Sequence, residues 1–238
     1  MLNVFRRRSR GGNGYADKAL QRYRYKDVWN SASNTEDGAK FAVAGLADEA
    51  ALEEAAEVTL AQLTESVGVN KDDVILEIGC GVGRVGNILA PRCRKWIGVD
   101  ASDNMIKYTR KRLSRHQNIE LIANNGYDLQ AVPDSSVDLV YCTVVMMHLS
   151  QWDRYGYVKE AFRVLRPGGR IFMDGVDLTS DYGWEFFLNH LSIPPQERPP
   201  NISELSTPQE FSTYLTRAGF KNIRLQSVGL WVVATAVK

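Results

Sequence analysis

The chain is poor in cysteine, in histidine and in net charge, and it lacks any long apolar run. Its three cysteines, Cys80, Cys93 and Cys142, form no CxxC pair and no metal-ligand spacing. That argues against a disulfide-stapled scaffold and against a bound metal, and it points to free thiols in a reducing compartment, with the cytoplasm as the expectation. No apolar stretch approaches the ~18 residues that a membrane span needs. The basic beginning runs into Gly11, Gly12, Asn13 and Gly14 rather than an apolar segment, so no secretory leader is expected. A formal net charge of +1 argues against a globally basic nucleic-acid binder.

What is present is ordinary globular material. Of 238 residues, 44% are hydrophobic and 24% charged, which suits one α/β domain with additions. Positive charge gathers at one end: Arg6, Arg7, Arg8, Arg10, Lys18, Arg22, Arg24 and Lys26 face only Asp17 and Asp27. Residues 1–14 read as a basic, glycine-rich arm and 15–45 as aromatics among polar turn formers. From Asp48, an expected N-cap, a helix runs to about Ser66, with Leu52, Ala56, Leu60 and Leu63 on one face.

Beyond residue 73 short apolar strands alternate with helices. The strands are expected at 74–78, 96–100, 119–123, 137–142 and 170–176, and the helices at 84–90, 104–115 and 152–165. Such alternation implies right-handed crossovers and a doubly wound, mostly parallel sheet. Prolines at 194, 195, 199 and 200 mark an excursion over 178–208, and Thr207-Pro208 opens a helix to about Ala218. Two closing strands, near 222–228 and 230–237, are joined so tightly that they must run antiparallel. The expectation is a Rossmann-like seven-stranded α/β sheet with an antiparallel last strand and an N-terminal helical extension. Residues 1–72 form the arm and lid, and 73–238 the main domain.

The chemistry-bearing motif is Glu77-Ile78-Gly79-Cys80-Gly81-Val82-Gly83, between the first strand and its helix. Glycines there let backbone come close to a ligand, and the helix start offers unpaired N–H groups. Asp100 ends the next strand, where a carboxylate can accept both hydroxyls of a ribose. These residues alone leave two cofactors open, because Gly81-Val82-Gly83-Arg84-Val85-Gly86 also satisfies the dinucleotide pattern of nicotinamide and flavin enzymes.

The block Leu76–Arg84 resembles the first motif of class I S-adenosylmethionine-dependent methyltransferases, and Val99–Met105 resembles their second. Asp138–Cys142 and Arg163–Arg170 resemble the fourth strand and the turn before the fifth. The likeness is to the type 11, small-molecule branch and runs from about residue 74 to 176. It implies S-adenosylmethionine as cofactor. It also implies a binding set of Glu77, Gly79, Cys80, Gly81, Gly83, Asp100, Ala101, Met105, Asn125, Gly126 and Thr143. Asp100 would hold the ribose and Met105 would pack on adenine. Asn125 stands where many members carry an aspartate near the adenine amine.

Methyl transfer needs an acceptor aligned behind the reacting carbon and, for a hydroxyl acceptor, a base. His148, in the apolar run Val144–Leu149, is the candidate catalytic base, since imidazole is the side chain most easily poised near neutrality. Its alternative role is to shape the pocket through backbone hydrogen bonds. Tyr25, Trp29, Asp174 and Trp184 are candidate acceptor contacts beside it, and Asp177 lies at the end of the same strand as Asp174. The chain lacks the Asn/Asp-Pro-Pro-Tyr motif of base-amine and glutamine methylation, and Cys142-Thr143 is not the Pro-Cys pair of cytosine-C5 enzymes. A small-molecule acceptor is therefore expected and nucleic acid is not. The Arg6–Arg10 run keeps RNA or protein methylation open as a second reading, and a non-catalytic cofactor binder is the third.

Overall fold

A computed structural model describes residues 24–45 and 47–238. The basic arm over 1–14, with Tyr15 and Tyr23, lies outside the described residues. Seven strands form one sheet: β1 (Val74–Ile78), β2 (Lys95–Asp100), β3 (Ile119–Ala123), β4 (Val137–Cys142), β5 (Leu165–Val176), β6 (Lys221–Val228) and β7 (Trp231–Val237). Their order is β3-β2-β1-β4-β5-β7-β6. Neighbours pair in parallel from β3 through β5, and β7 runs antiparallel to both β5 and β6. Strand order reverses between β1 and β4, which opens a crevice at the carboxyl ends of those two strands.

Alternating side chains load both faces of the sheet. Ile75, Trp96, Leu139, Tyr141 and Phe172 pack under α3 (Glu49–Ser66) and α4 (Arg84–Leu89). Leu76, Ile78, Val99, Val140 and Met173 pack under α6 (Gln151–Val164) and α8 (Pro208–Ala218). Burial of each large apolar side chain is worth about 1.5–3 kcal/mol, so these two layers supply most of the driving force for folding.

Helix starts follow local chemistry. The side chains of Asp48, Ser102, Ser150 and Thr207 accept N–H groups from Ala51, Met105, Asp153 and Glu210 at the openings of α3, α5 (Asp103–Arg112), α6 and α8. The extension folds as α1 (Tyr25–Ala32) and α2 (Glu36–Ala44), and the excursion contains α7 (Asp181–Leu191). β5 starts five residues earlier than its sequence suggests. Leu165 pairs with Val137, and Gly168 and Gly169 exchange backbone bonds with Lys238, so tertiary pairing recruits an Arg-Pro-Gly-Gly turn into the strand.

Candidate active site

The crevice holds a cleft lined from both sides of the switch point. Its floor is the turn that follows β1. There Gly79 and Gly81 take φ of 72° and 54°, and the N–H groups of Gly79 and Cys80 both bond Val99 O, at 2.8 and 3.0 Å. A Cβ on Gly79 would lie 2.3 Å from Val145, and one on Gly81 2.6 Å from Val43 of α2. Space above the turn is thus bounded by the loop after β4 on one side and by the lid on the other. Only glycine fits both the backbone angles and the clearance.

Asp100 stands at the tip of β2. Gly81 N–H donates to its Oδ2 at 2.9 Å and Ser102 N–H to its Oδ1 at 2.8 Å. Burial raises its pKa to about 6, and the N–H groups of Ser102, Gly81 and Ala101 oppose that rise. Near neutrality it is ionised, and each oxygen keeps a lone pair for a ligand hydroxyl. Ala101, Gly126 and the buried Met105 lie beside it on the cleft wall. An acid, a sulfur-bearing apolar side chain and a glycine floor together fit an adenosine-type cofactor.

Glu77, at the end of β1, is pushed up to about 8 by burial, with Tyr141, which donates a hydrogen bond to it, and the charge of Arg84 pulling the other way. Trp96 Nε1 donates to Tyr141 at 3.2 Å, so the acid ends a chain of three buried groups. Arg84, which also lines the cleft, is anchored through Nη1 to Ala55 O at 3.0 Å and Thr59 Oγ1 at 3.2 Å.

The opposite wall follows β4. Thr143 leads into Val144, whose φ of 60° is an outlier for a β-branched residue. Asp174 Oδ1 accepts Val144 N–H at 2.7 Å and holds this turn in place. Met146–His148 then form one 3₁₀ turn. His148 Nδ1 lies 2.9 Å from Asn201 O. A carbonyl only accepts, so Nδ1 carries the hydrogen, and in the neutral ring Nε2 is the basic nitrogen. Trp29 of α1 meets the imidazole edge to face, with ring centroids 4.9 Å apart. Tyr25, one turn earlier, donates to Asp153 Oδ2 at 2.7 Å and accepts Ser150 N–H at 3.1 Å. At its other end α1 is fixed by Asn30 and Ser33, each 2.9 Å from Ser102 Oγ. α1 therefore crosses the cleft and is fastened on both banks.

Of the residues singled out in the sequence, Glu77, Gly79, Cys80, Gly81, Asp100, Ala101, Met105, Gly126, Thr143, His148, Tyr25 and Trp29 gather around this cleft. Four do not. Gly83 caps α4 with φ 75° and faces Thr109 and Leu113. The Asn125 amide is consumed by its own turn, accepting Tyr127 and Asp128 N–H and donating to Asp128 Oδ2 at 2.7 Å; its neighbour Asn124 lines the cleft instead. Asp174 braces Val144 from behind the wall, and burial raises its pKa to about 7. Trp184 is 52% exposed on α7, stacked on Phe187. Asp177 is likewise structural, its carboxylate taken up by Thr179 and Ser227. Arg84, Val43, Leu149 and Tyr157 line the cleft with no role expected for them from sequence, and Asn124 belongs to the 124–127 turn expected to hold adenosine. Arg84 and Asn124 adjoin residues already singled out, whereas Val43 and Tyr157 carried no local signal.

Among the described residues no group of three or more His, Cys, Asp or Glu is placed to hold a metal ion, and no helix is long and apolar enough to cross a membrane. Residues 76–173 match the methyltransferase domain family. A thiol S-methyltransferase of Homo sapiens is 29% identical over 170 residues, covering 70% of this chain and 67% of that protein. A probable S-adenosylmethionine-dependent methyltransferase of Mycolicibacterium smegmatis is 39% identical over 95 residues, covering 40% of this chain but 35% of its own length. The fold matches phosphoethanolamine N-methyltransferase 1 of Haemonchus contortus, solved with phosphoethanolamine and S-adenosylhomocysteine. The TM-score is 0.67 at 18% identity, over 91% of this chain and 48% of that one. These likenesses support placing the chain in the class I S-adenosylmethionine-dependent methyltransferase superfamily.

Proposed function

We propose that the chain transfers a methyl group from S-adenosylmethionine to an oxygen or nitrogen atom of a small-molecule acceptor. Residues 73–238 would be the catalytic unit and the preceding helices its lid. The observation that carries this reading is the meeting of Asp100 and His148 on the walls of a single cleft. When bound, the sulfonium cofactor supplies a methyl carbon open to in-line displacement. Asp100 would accept hydrogen bonds from the ribose hydroxyls, Met105 and Ala101 would hold the adenine, and the Gly79–Gly81 turn would hold the amino-acid end. His148 Nε2 takes the acceptor's proton while Asn201 O holds Nδ1–H, so the ring keeps its tautomer between turnovers. Trp29, Val145 and Leu149 form an apolar wall that keeps water from competing with the acceptor.

The relative named for thiol methylation supports including sulfur among the acceptor atoms. Cys80, Cys93 and Cys142 are all buried free thiols, which supports the cytoplasm as the working compartment. The deciding experiment measures S-adenosylhomocysteine formed with catechol, benzylamine, benzyl mercaptan and total RNA. Turnover on one or more of the small molecules and none on RNA is expected. Binding of S-adenosylmethionine without turnover on any of the four would replace an enzyme with a cofactor-binding protein.

A further inference from the structure

Arg154, on α6, is 1% exposed, one of the largest fully buried side chains among the described residues. A buried guanidinium is tolerated only where its five donors find acceptors. Here Nε donates to Met146 O at 2.8 Å and to Leu149 O at 3.1 Å, the two carbonyls on either side of His148 in its turn. Nη1 donates to Ser206 Oγ at 2.9 Å, to Leu205 O at 3.3 Å and to Glu210 Oε1 at 3.0 Å, and Nη2 to Glu204 O at 3.1 Å. The same stretch meets the turn twice more, through Glu204 N–H to Met147 O at 2.7 Å and through Asn201 O to the imidazole.

We propose that Arg154 is the positioning residue of the acceptor side: one buried cation fastens the turn bearing His148 to the 201–206 segment that supplies its ring partner, and so sets the histidine's tautomer and place. The functional weight of this rests on the reading of His148 as base, but the geometry stands apart from it. The planar fork is what the task needs. An ammonium is a single point of charge and cannot reach Met146 O, Leu149 O and the carbonyls of 204 and 205 together. Glu210 neutralises the guanidinium from α8, so the clamp also links α6 to α8 across the segment.

Long-range proton–nitrogen spectra of the full chain saturated with S-adenosylhomocysteine test this directly. The sequence has three histidines, His116, His148 and His190, and His148→Gln assigns the signal by its loss. Wild type is expected to show neutral His148 as one Nδ1–H tautomer. Arg154→Lys is expected to convert it to a mixture, drawing the two ring-nitrogen shifts together, with S-adenosylhomocysteine affinity held within about twofold by calorimetry. Where Arg154→Lys gives no folded protein, Glu210→Gln carries the test and should move the shifts in the same direction. A folded variant with the wild-type tautomer pattern overturns the proposal, as does a cofactor affinity that falls along with the tautomer. Turnover of His148→Ala is a separate measurement: wild-type rates there would remove the base and leave the tautomer result to decide the clamp.

Discussion

On the β1–β2 bank of the cleft, contacts run between backbone groups and one carboxylate close in sequence; Gly81 and Asp100 are 19 residues apart. On the β4–β5 bank, side chains reach much farther. Asn201 meets His148 over 53 residues, and Tyr25 meets Asp153 over 128. The floor of the first bank is made chiefly of material every sequence shares, peptide N–H and C=O, shaped by glycine. The second is made of particular side chains whose partners come from the lid and the excursion. A site that recognises an unvarying cofactor can be built locally, while one that recognises a particular acceptor draws on whatever segments the fold carries past it.

That contrast can be broken by experiment. If the acceptor bank performs the chemistry, His148→Ala should lower turnover by about 10²- to 10⁴-fold with cofactor affinity little changed, read from S-adenosylhomocysteine formation and calorimetry. A parallel loss of affinity would erase the distinction between the banks. Asp100→Ala should act on the other bank alone. Losing a charged acceptor for two hydroxyls is expected to weaken S-adenosylhomocysteine binding by roughly 10- to 100-fold, and unchanged binding would displace the ribose from this carboxylate.

A smaller effect concerns pH. Burial raises Glu77, Asp174 and Asp100 to about 8, 7 and 6. A carboxyl whose folded pKa exceeds its unfolded one contributes stability that is full below the unfolded value and lost as pH rises through the folded one. Cofactor-free protein should therefore melt a few degrees lower at about pH 8.5 than at about pH 5.5, as scanning calorimetry would record. A flat or reversed slope would mean that these acids are better solvated than the cleft geometry implies. The smallest effect is the most discriminating. Trp184→Ala, on the exposed face of α7, should leave turnover within about twofold, since exposed substitutions away from special features rarely exceed 0.5 kcal/mol. A tenfold loss would bring α7 into the acceptor bank.

The same contrast explains what could be read from the sequence. The five parallel-run strands, the Gly79–Gly83 loop and Asp100 were legible because their signals are periodicity and glycine spacing within a single unit. Asn125 spends its amide within its own turn while Asn124 lines the cleft, since which amide faces the cleft depends on how an Asx turn folds. Asp174 was legible as an acid near a strand end, but its service to Val144 N–H depends on a backbone angle that no composition reveals. Trp184 belonged to a helix whose outward face was invisible without the packing of the excursion. Arg154 had the least signal of all, because its six acceptor residues are scattered from Met146 to Glu210.

Val144 carries a further implication. A left-handed turn there would suit glycine, yet the branched residue stands in it at a conformational cost of roughly 1–2 kcal/mol. Val144 lines the cleft, so its place in the wall outweighs backbone comfort. Screens for hardier variants should find glycine at this position attractive. Heat tolerance won that way would come with a looser hinge ahead of the imidazole and slower product formation.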